Sequence, residues 1–231
     1  MYRNQRNVYQ SRRRSSAIPN ISLPEVKGNF NWVNANRILC IDQSLNDSGA
    51  ALYIDGKYVP VHNSSGKSVG WALTLPVRWQ RQEKILAYGA WVRELISEAS
   101  PDVVIAESHP FARGKQDAST ISMETLIGVR WVTMFVAAQS QVPYTEFSTN
   151  HVKYILCGGF SVSKGAIQTM LRAIIEEIPV YESKSGIVNG NVCDAIAMCE
   201  VISRMQKQEK ILSEYAEQIG KGRTQTHSRN K

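Results

Sequence analysis

The central part of the chain alternates between short apolar runs and longer stretches with helical periodicity. Residues 37–42 (RILCID) and 102–107 (DVVIAE) are apolar runs that end in an acid, which is typical of buried strands. A second strand is predicted over 48–55, and its terminal Asp-Gly pair predicts a hairpin into a third strand from residue 57. This part of the chain therefore begins with three consecutive strands.

Helical segments dominate after the third strand. The predicted helices span residues 77–98, 118–139, 149–157, 163–177 and 191–209. Two further strands lie between them, the 102–107 run and the VPYTEF segment at 142–147. Three strands followed by alternating helices and strands predict an α/β fold of three layers, with a mixed five-stranded sheet and helices on both faces.

The flanking regions lack this periodicity. Residues 1–35 contain prolines that break regular structure and are interpreted as a basic disordered tail and linker. The folded domain is assigned to residues 36–209, and residues 210–231 to the end of a helix and a second basic tail. A chain of 231 residues is long enough for one domain with a well-buried core.

The composition excludes several classes of protein. Hydrophobic residues make up 43% of the chain and charged residues 20%, as in globular domains. No apolar run approaches the ~20 residues of a membrane span, and no secretion signal opens the chain, so neither a membrane nor export is expected. The four cysteines form no CxxC pair, which argues against zinc and agrees with a reducing cytoplasm.

The positive charge is concentrated at the two ends. Residues 1–14 carry five arginines and residues 221–231 four basic residues, neither with an acid, so the net charge of +7 becomes −2 over residues 15–220. Acid-free basic tails, including Arg12, Arg13 and Arg14, predict contact with nucleic-acid phosphates. A solubilising tail is an equal alternative, and organellar targeting a lesser one because the Arg- and Ser-rich start shows no apolar stripe.

Three carboxylates occupy unusual positions. Asp42 and Glu107 each end an apolar strand, and Asp194 opens an apolar helix after a glycine-rich loop. Ligands of α/β sheets bind beyond the carboxyl ends of the strands, and a cluster of acids there calls for a hard cation such as Mg²⁺. Each acid alone has an ordinary explanation, as a loop residue or, with Asn191 as N-cap, as a helix-capping group. Their joint occurrence favours a metal site.

Four segments, taken together, resemble the RuvC family of Holliday-junction resolvases, within the RNase H-like nucleases. They lie between about Arg37 and Arg204, in an order and with gaps that fit the family. The segments are ILCIDQSLNDSGAALY, PDVVIAESHPFARGKQDAS, YTEFSTNHVKYILCGGFSVSKGAIQTMLRAII and NVCDAIAMC. The last one resembles a closing motif that is usually DxxDAxAxA.

The resemblance implies a role for individual residues. The expected catalytic residues are Asp42, Glu107, Asp194, Lys153 and Lys164, with the three acids and Asn191 as ligands of two Mg²⁺ or Mn²⁺ ions. Phe111, with Arg113 and Lys115 beside it, would lie at the branch point of a DNA junction and stack on bases or wedge between them. Packing of Phe111 on the domain's own helix is the alternative.

The chain departs from the family in three respects. Gln43-Ser44 stands where Pro-Gly often follows the first acid, and the aromatic residue comes one place later than in well-known members. Asn191 replaces the first acid of the closing motif. Its amide oxygen can still ligate a hard cation, but it adds no negative charge.

The sequence therefore predicts a crossover junction endodeoxyribonuclease that makes paired nicks in four-way or branched DNA by two-metal hydrolysis. By resemblance it would act as a homodimer, with the helix near 121–138 as candidate interface, in the cytoplasm of a bacterial or phage-infected cell. A catalytically weak or inactive junction-binding protein is the alternative, with Asn191 as the mark of lost activity. An actin-like ATPase is a third class, and it would need a second phosphate loop.

Overall fold

We describe the protein from a computed structural model. The structure describes residues 32–62, 64, 70–108, 120–178 and 190–228, and side chains throughout these ranges except at 120–123 and 218–228. Predictions for the tail arginines Arg12, Arg13 and Arg14 lie outside the described residues. The same holds for Phe111, Arg113 and Lys115.

In the described ranges, six strands and five α-helices follow a short 3-10 helix at Trp32–Asn34. The strands are β1 (Arg37–Asp42), β2 (Asp47–Ile54), β3 (Lys57–Val59), β4 (Trp71–Thr74), β5 (Val103–Ser108) and β6 (Tyr144–Ser148). The helices are α1 (Arg81–Ala99), α2 (Thr120–Gln139), α3 (Thr149–Cys157), α4 (Lys164–Ile174) and α5 (Gly190–Ser228).

The strands form one mixed sheet in the order β3-β2-β1-β5-β6. β1 pairs antiparallel with β2 and parallel with β5, and β5 pairs parallel with β6. The predicted α/β class and mixed sheet are confirmed, but the strand count of five was wrong. A sixth strand, β4, pairs with the first half of β2, and its four residues are too short and too exposed to give a clear apolar signal.

Helices cover both faces of the sheet, as predicted. Side chains alternate along each strand, so Ile38 and Cys40 of β1 face one core while Leu39 and Ile41 face the other. The first core is closed by α3, α4 and α5, and the second by α1 and α2. None of the helices in the described ranges is long and apolar enough to cross a membrane.

The last helix is longer than predicted. α5 continues to Ser228, past the helical pattern of residues 191–209 and through most of residues 210–231, which the sequence assigns to the end of a helix and a basic tail. From Lys207 to Glu217 its residues are exposed, and Ile211, Leu212 and Tyr215 are large apolar residues among them. No core packing creates an apolar period there, so the sequence pattern did not report this part of the helix.

Candidate active site at the ends of β1 and β5

The first two acids are brought together by strand register. β1 and β5 are parallel neighbours in which Ile41 pairs with Ala106, so Asp42 and Glu107 follow at the same level. Both belong to the alternate positions that face the core closed by α5, and their side chains are hydrogen-bonded to each other. The two strand ends therefore present a pair of carboxyl groups on one face of the sheet.

The third acid arrives through a close contact between a helix and a strand. Gly49 of β2 lies opposite Asp42, and a Cβ added to it would be 2.3 Å from the backbone of both Asn191 and Val192. Only glycine lets the first turn of α5 lie this close to the sheet. Asp194 then follows on the same helix, above the strand that ends in Asp42.

The three predicted acids line one cleft. Apart from Thr149, the other lining residues are apolar, so the carboxylates are the charged groups of its lining. The lining residues are Asp42, Glu107, Phe147, Thr149, Val152, Ile167, Asp194 and Met198. The structure thus assembles the acid triad from elements far apart in the sequence, whereas Asn191 is not among the lining residues.

Asp42 is the most strongly perturbed acid of the cluster. Its residue is 7% exposed, and burial raises its pKa to about 10, with further contributions from the hydrogen bond and charge of Glu107 and the charge of Asp194. Without a bound cation, the hydrogen-bonded pair of Asp42 and Glu107 therefore holds a proton at neutral pH. Such a shift is typical of acids grouped for a function.

Lysines face the same cluster. The ammonium group of Lys164, the first residue of α4, lies 2.9 Å from Oδ2 of Asp194. Burial still raises the pKa of Asp194, against the opposing effects of Lys164 and of Lys153 on α3. Ser163 caps α4 by accepting the backbone N–H of Ala166 at 3.3 Å, which fixes the turn that carries Lys164.

Glu107 is held by two residues that the sequence did not single out for this role. The hydroxyl of Thr149 donates to Oε1 of the Glu107 carboxylate. The side-chain amide of Gln43 donates to the backbone carbonyl of Glu107 at 2.9 Å. Gln43 was noted only as a departure from the family pattern, and Thr149 only as the start of a helix.

A buried polar network supports Gln43 from behind. Its Oε1 accepts a hydrogen bond from Thr133 of α2 at 3.1 Å, and Thr133 is in turn hydrogen-bonded to Tyr88 of α1 at 2.7 Å. All three residues are buried. Because an unpaired buried polar group is costly, this chain fixes the orientation of Gln43 and hence of the strand end at Glu107.

Asn191 has a structural contact. α5 begins at Gly190, so Asn191 lies inside its first turn rather than at the N-cap position considered from the sequence. Its side-chain nitrogen donates to the backbone carbonyl of Asp47 at 2.6 Å. The residue thereby ties the start of the helix to the start of β2, and its role as a metal ligand stays a prediction.

The donor set fits a hard divalent cation. Within the described ranges, no three His, Cys, Asp or Glu residues already have the arrangement of a metal site. Without a cation, the acids relieve their mutual repulsion through a proton held by the Asp42–Glu107 pair and through the ammonium group of Lys164. Three convergent carboxylates that need such neutralisation match the oxygen ligands of Mg²⁺ or Mn²⁺.

One curated protein is similar in sequence. It is a crossover junction endodeoxyribonuclease RuvC of Natranaerobius thermophilus, 30% identical over 108 residues, which are 46% of this chain and 64% of that protein. The match thus spans less than two thirds of the relative. No family model matches the chain.

Solved structures of resolvases share the fold. A Thermus thermophilus RuvC structure has a TM-score of 0.52 at 17% identity and covers 75% of this chain and 96% of its own. T. thermophilus RuvC in complex with a Holliday junction substrate gives 0.53 at 18%, covering 71% and 91%. The yeast mitochondrial Holliday junction resolvase Ydc2 gives 0.52 at 13%, covering 80% and 84%.

These similarities define the fold class of the protein. The chain has the RNase H-like fold of RuvC-type resolvases, with carboxylates grouped at the ends of the two central parallel strands. Its predicted resemblance to the RuvC family of Holliday-junction resolvases is confirmed in sequence and in fold.

Proposed function

We propose that this protein is a metal-dependent endodeoxyribonuclease that resolves four-way or other branched DNA junctions. The observation that carries the proposal is the convergence of Asp42, Glu107 and Asp194 on one cleft, with lysines at its edge. The names of the curated relative and of the structural neighbours support the same reaction and substrate. The expected cytoplasmic location stays a prediction, with an organelle as its alternative.

The site divides the work among its side chains. Asp42, Glu107 and Asp194 would hold the cations, while Thr149 and Gln43 keep Glu107 oriented towards the cleft. When bound, Mg²⁺ or Mn²⁺ supplies Lewis-acid activation of a water and stabilisation of the leaving oxygen. Lys164 and Lys153, which both interact with Asp194, would neutralise charge on the scissile phosphate. No covalent intermediate with the protein is proposed.

A homodimer would suit paired nicking. Trp131 and Phe135 lie one turn apart on α2, and each is 60% exposed. Contact of this face with the same face of a second copy would bury both aromatics and relate two active sites by a two-fold axis. A four-way junction has approximate two-fold symmetry, so the two sites would cut symmetric strands.

The decisive experiment is cleavage of a synthetic four-way junction in Mg²⁺ or Mn²⁺. Wild-type protein should nick the junction and leave a linear duplex of the same sequence intact, while Asp42→Asn should lose activity by at least about 100-fold because an essential charge is removed. Asp55→Asn is the matched control, since Asp55 is exposed at a turn with φ 51° where asparagine is well tolerated. Its activity should equal that of wild type.

An inactive junction-binding protein is the second candidate. The observation that favours it is Asn191, whose side chain is engaged by the carbonyl of Asp47 and adds no charge to the cluster. The same assay separates the two functions. Junction binding by wild type without metal-dependent nicking would establish the binding protein and refute the nuclease.

A further inference from the structure

Two exposed aromatic residues stack on each other at the end of α3. The rings of Tyr154 and Phe160 lie 4.8 Å apart between centroids, with 16° between their planes. Although each covers part of the other, Tyr154 is 52% exposed and Phe160 57% exposed. Much of this stacked pair, which we call the aromatic platform, therefore remains open to solvent.

The platform is built by the backbone. Gly158 ends α3 in the left-handed region at φ 76°, and its N–H donates to the carbonyl of Tyr154 at 2.8 Å. This turn folds the following segment back over the helix, which places Phe160 on the ring of Tyr154. The two rings are thus held together before any ligand arrives, which reduces the entropy lost on binding.

The surroundings of the platform suit a polyanion. From Thr149 to Ile175 the chain has three cations and no acid. Lys153 precedes Tyr154 on α3, and Lys164 follows Phe160 by four residues. Tyr154 lies on α3 and Phe160 on the turn that leads into α4, so the platform belongs to the same segment as the two lysines that interact with Asp194.

We propose that Tyr154 and Phe160 form a stacking site for an unpaired nucleobase of the DNA strand that enters the cleft. An aromatic side chain stacks on any base, and neighbouring cations bind the phosphates on either side of that base. A branched junction offers such bases where its helices separate, whereas an intact duplex does not. The proposal rests on the proposed function and adds to it a contact that favours distorted over regular DNA.

The test compares binding by wild type, Tyr154→Leu, Phe160→Leu and the double variant. Two DNAs serve as probes in Ca²⁺ without Mg²⁺ or Mn²⁺: a four-way junction with two unpaired thymines at its branch, and a linear duplex. The double variant should bind the junction about 5- to 150-fold more weakly, the equivalent of stacking one base. Its affinity for duplex should be unchanged, as should the dependence of junction binding on salt, because every cation is retained.

Tyr215→Leu is the matched control, an exposed tyrosine on α5 that is 63% exposed. It should bind both DNAs like wild type. Tyr154→Trp keeps an aromatic face and should retain affinity, which separates stacking from a loss of folding. In wild type, 5-iodouracil at the unpaired positions should photocrosslink to Tyr154 or Phe160, with the crosslink mapped by mass spectrometry.

The outcomes distinguish this inference from the proposed function. If wild type cuts the junction and the double variant binds it equally well, the platform is refuted and the nuclease stands. Equal loss of duplex binding, a shallower salt dependence, or a crosslink elsewhere on the protein would also refute it. A wild-type protein that neither binds nor cuts branched DNA overturns both.

Discussion

Asp42 illustrates how one side chain links folding to chemistry. Its carboxyl group is buried beside two other acids, and its raised pKa means that the metal-free fold holds a proton there. The unfolded chain has no reason to keep that proton above pH ~4. The acid cluster therefore destabilises the folded state at neutral pH, and bound cations would restore that stability.

The first prediction concerns this pH dependence. A folded-state pKa above the unfolded value means that stability falls as pH rises from about 4 towards 10. Asp42→Asn removes the titrating group, so in EDTA the variant should melt above wild type at pH 7.5 and close to it at pH 4. Thermal melts at both pH values measure this.

Mn²⁺ provides the complementary arm of that experiment. Added Mn²⁺ should raise the melting temperature of wild type by mass action and leave Asp42→Asn almost unchanged. A variant that is less stable than wild type at pH 7.5 in EDTA would contradict the assigned charge state. Equal stabilisation of both proteins would show that Asp42 is not a ligand.

For individual residues, the sequence predicted which residue types form the site better than it predicted their contacts. Asp42 and Glu107 stood out because two apolar strands end in an acid and a third acid, Asp194, opens an apolar helix. Thr149 and Gln43 did not, since their hydrogen bonds to Glu107 join residues 42 and 64 positions apart and leave no periodic trace. Asn191 was noticed for the charge it lacks, whereas the structure shows a donor to Asp47; an aspartate there would set a carboxylate against that carbonyl.

Among the elements, α5 depends on the strand beneath it. The helix starts within contact distance of Gly49, so a single glycine determines where Asp194 sits. Strand patterns predicted β1, β2 and β5 well because their apolar runs are compact. β4 and the end of α5 were missed because neither packs enough apolar surface to produce a period.

Gly49→Ala tests this dependence. The added methyl group would overlap the α5 backbone, so the first turn must shift; we expect a loss of about 1–3 kcal/mol in the free energy of unfolding. A displacement near 1 Å at the acid should lower cleavage by about 100-fold. Urea unfolding and the junction assay measure the two effects.

Gly128→Ala is the control for that substitution. A Cβ at Gly128 of α2 would meet only Ile85, at an ordinary contact distance of 3.7 Å. Alanine in a helix should leave stability equal or slightly higher. If both alanine variants behave alike, the close approach at Gly49 does not position Asp194.

For the whole molecule, the exposed face of α2 is the candidate surface through which two copies, each with one active site, would form a dimer. The outer face of α2 carries Trp131 and Phe135, and the buried side of the same helix carries Thr133, which supports Gln43. A dimer through this face would place the interface one helix thickness from the network behind Glu107. The apolar character of α2 was visible in the sequence, but which side of it faces solvent was not.

Replacing both aromatics with glutamate tests the dimer. Wild type should sediment as a dimer at micromolar concentration. The Trp131→Glu, Phe135→Glu variant should sediment as a folded monomer, because an apolar interface does not accommodate unpaired carboxylates. The monomer should make single rather than paired nicks. Ile174→Glu, on α4 at the opposite face of the sheet, should remain dimeric. A monomeric wild type, or a dimeric double variant, would exclude this interface.

The pairing of Lys164 with Asp194 also links cation binding to DNA binding. The ammonium group of Lys164 has three N–H donors, so it can contact Asp194 and a phosphate of the strand together. A cation bound to Asp194 would compete with the lysine for the same carboxylate oxygens and weaken this ion pair. Lys164 therefore acts as a counter-ion of the acid cluster, and cation binding would release its charge for the DNA.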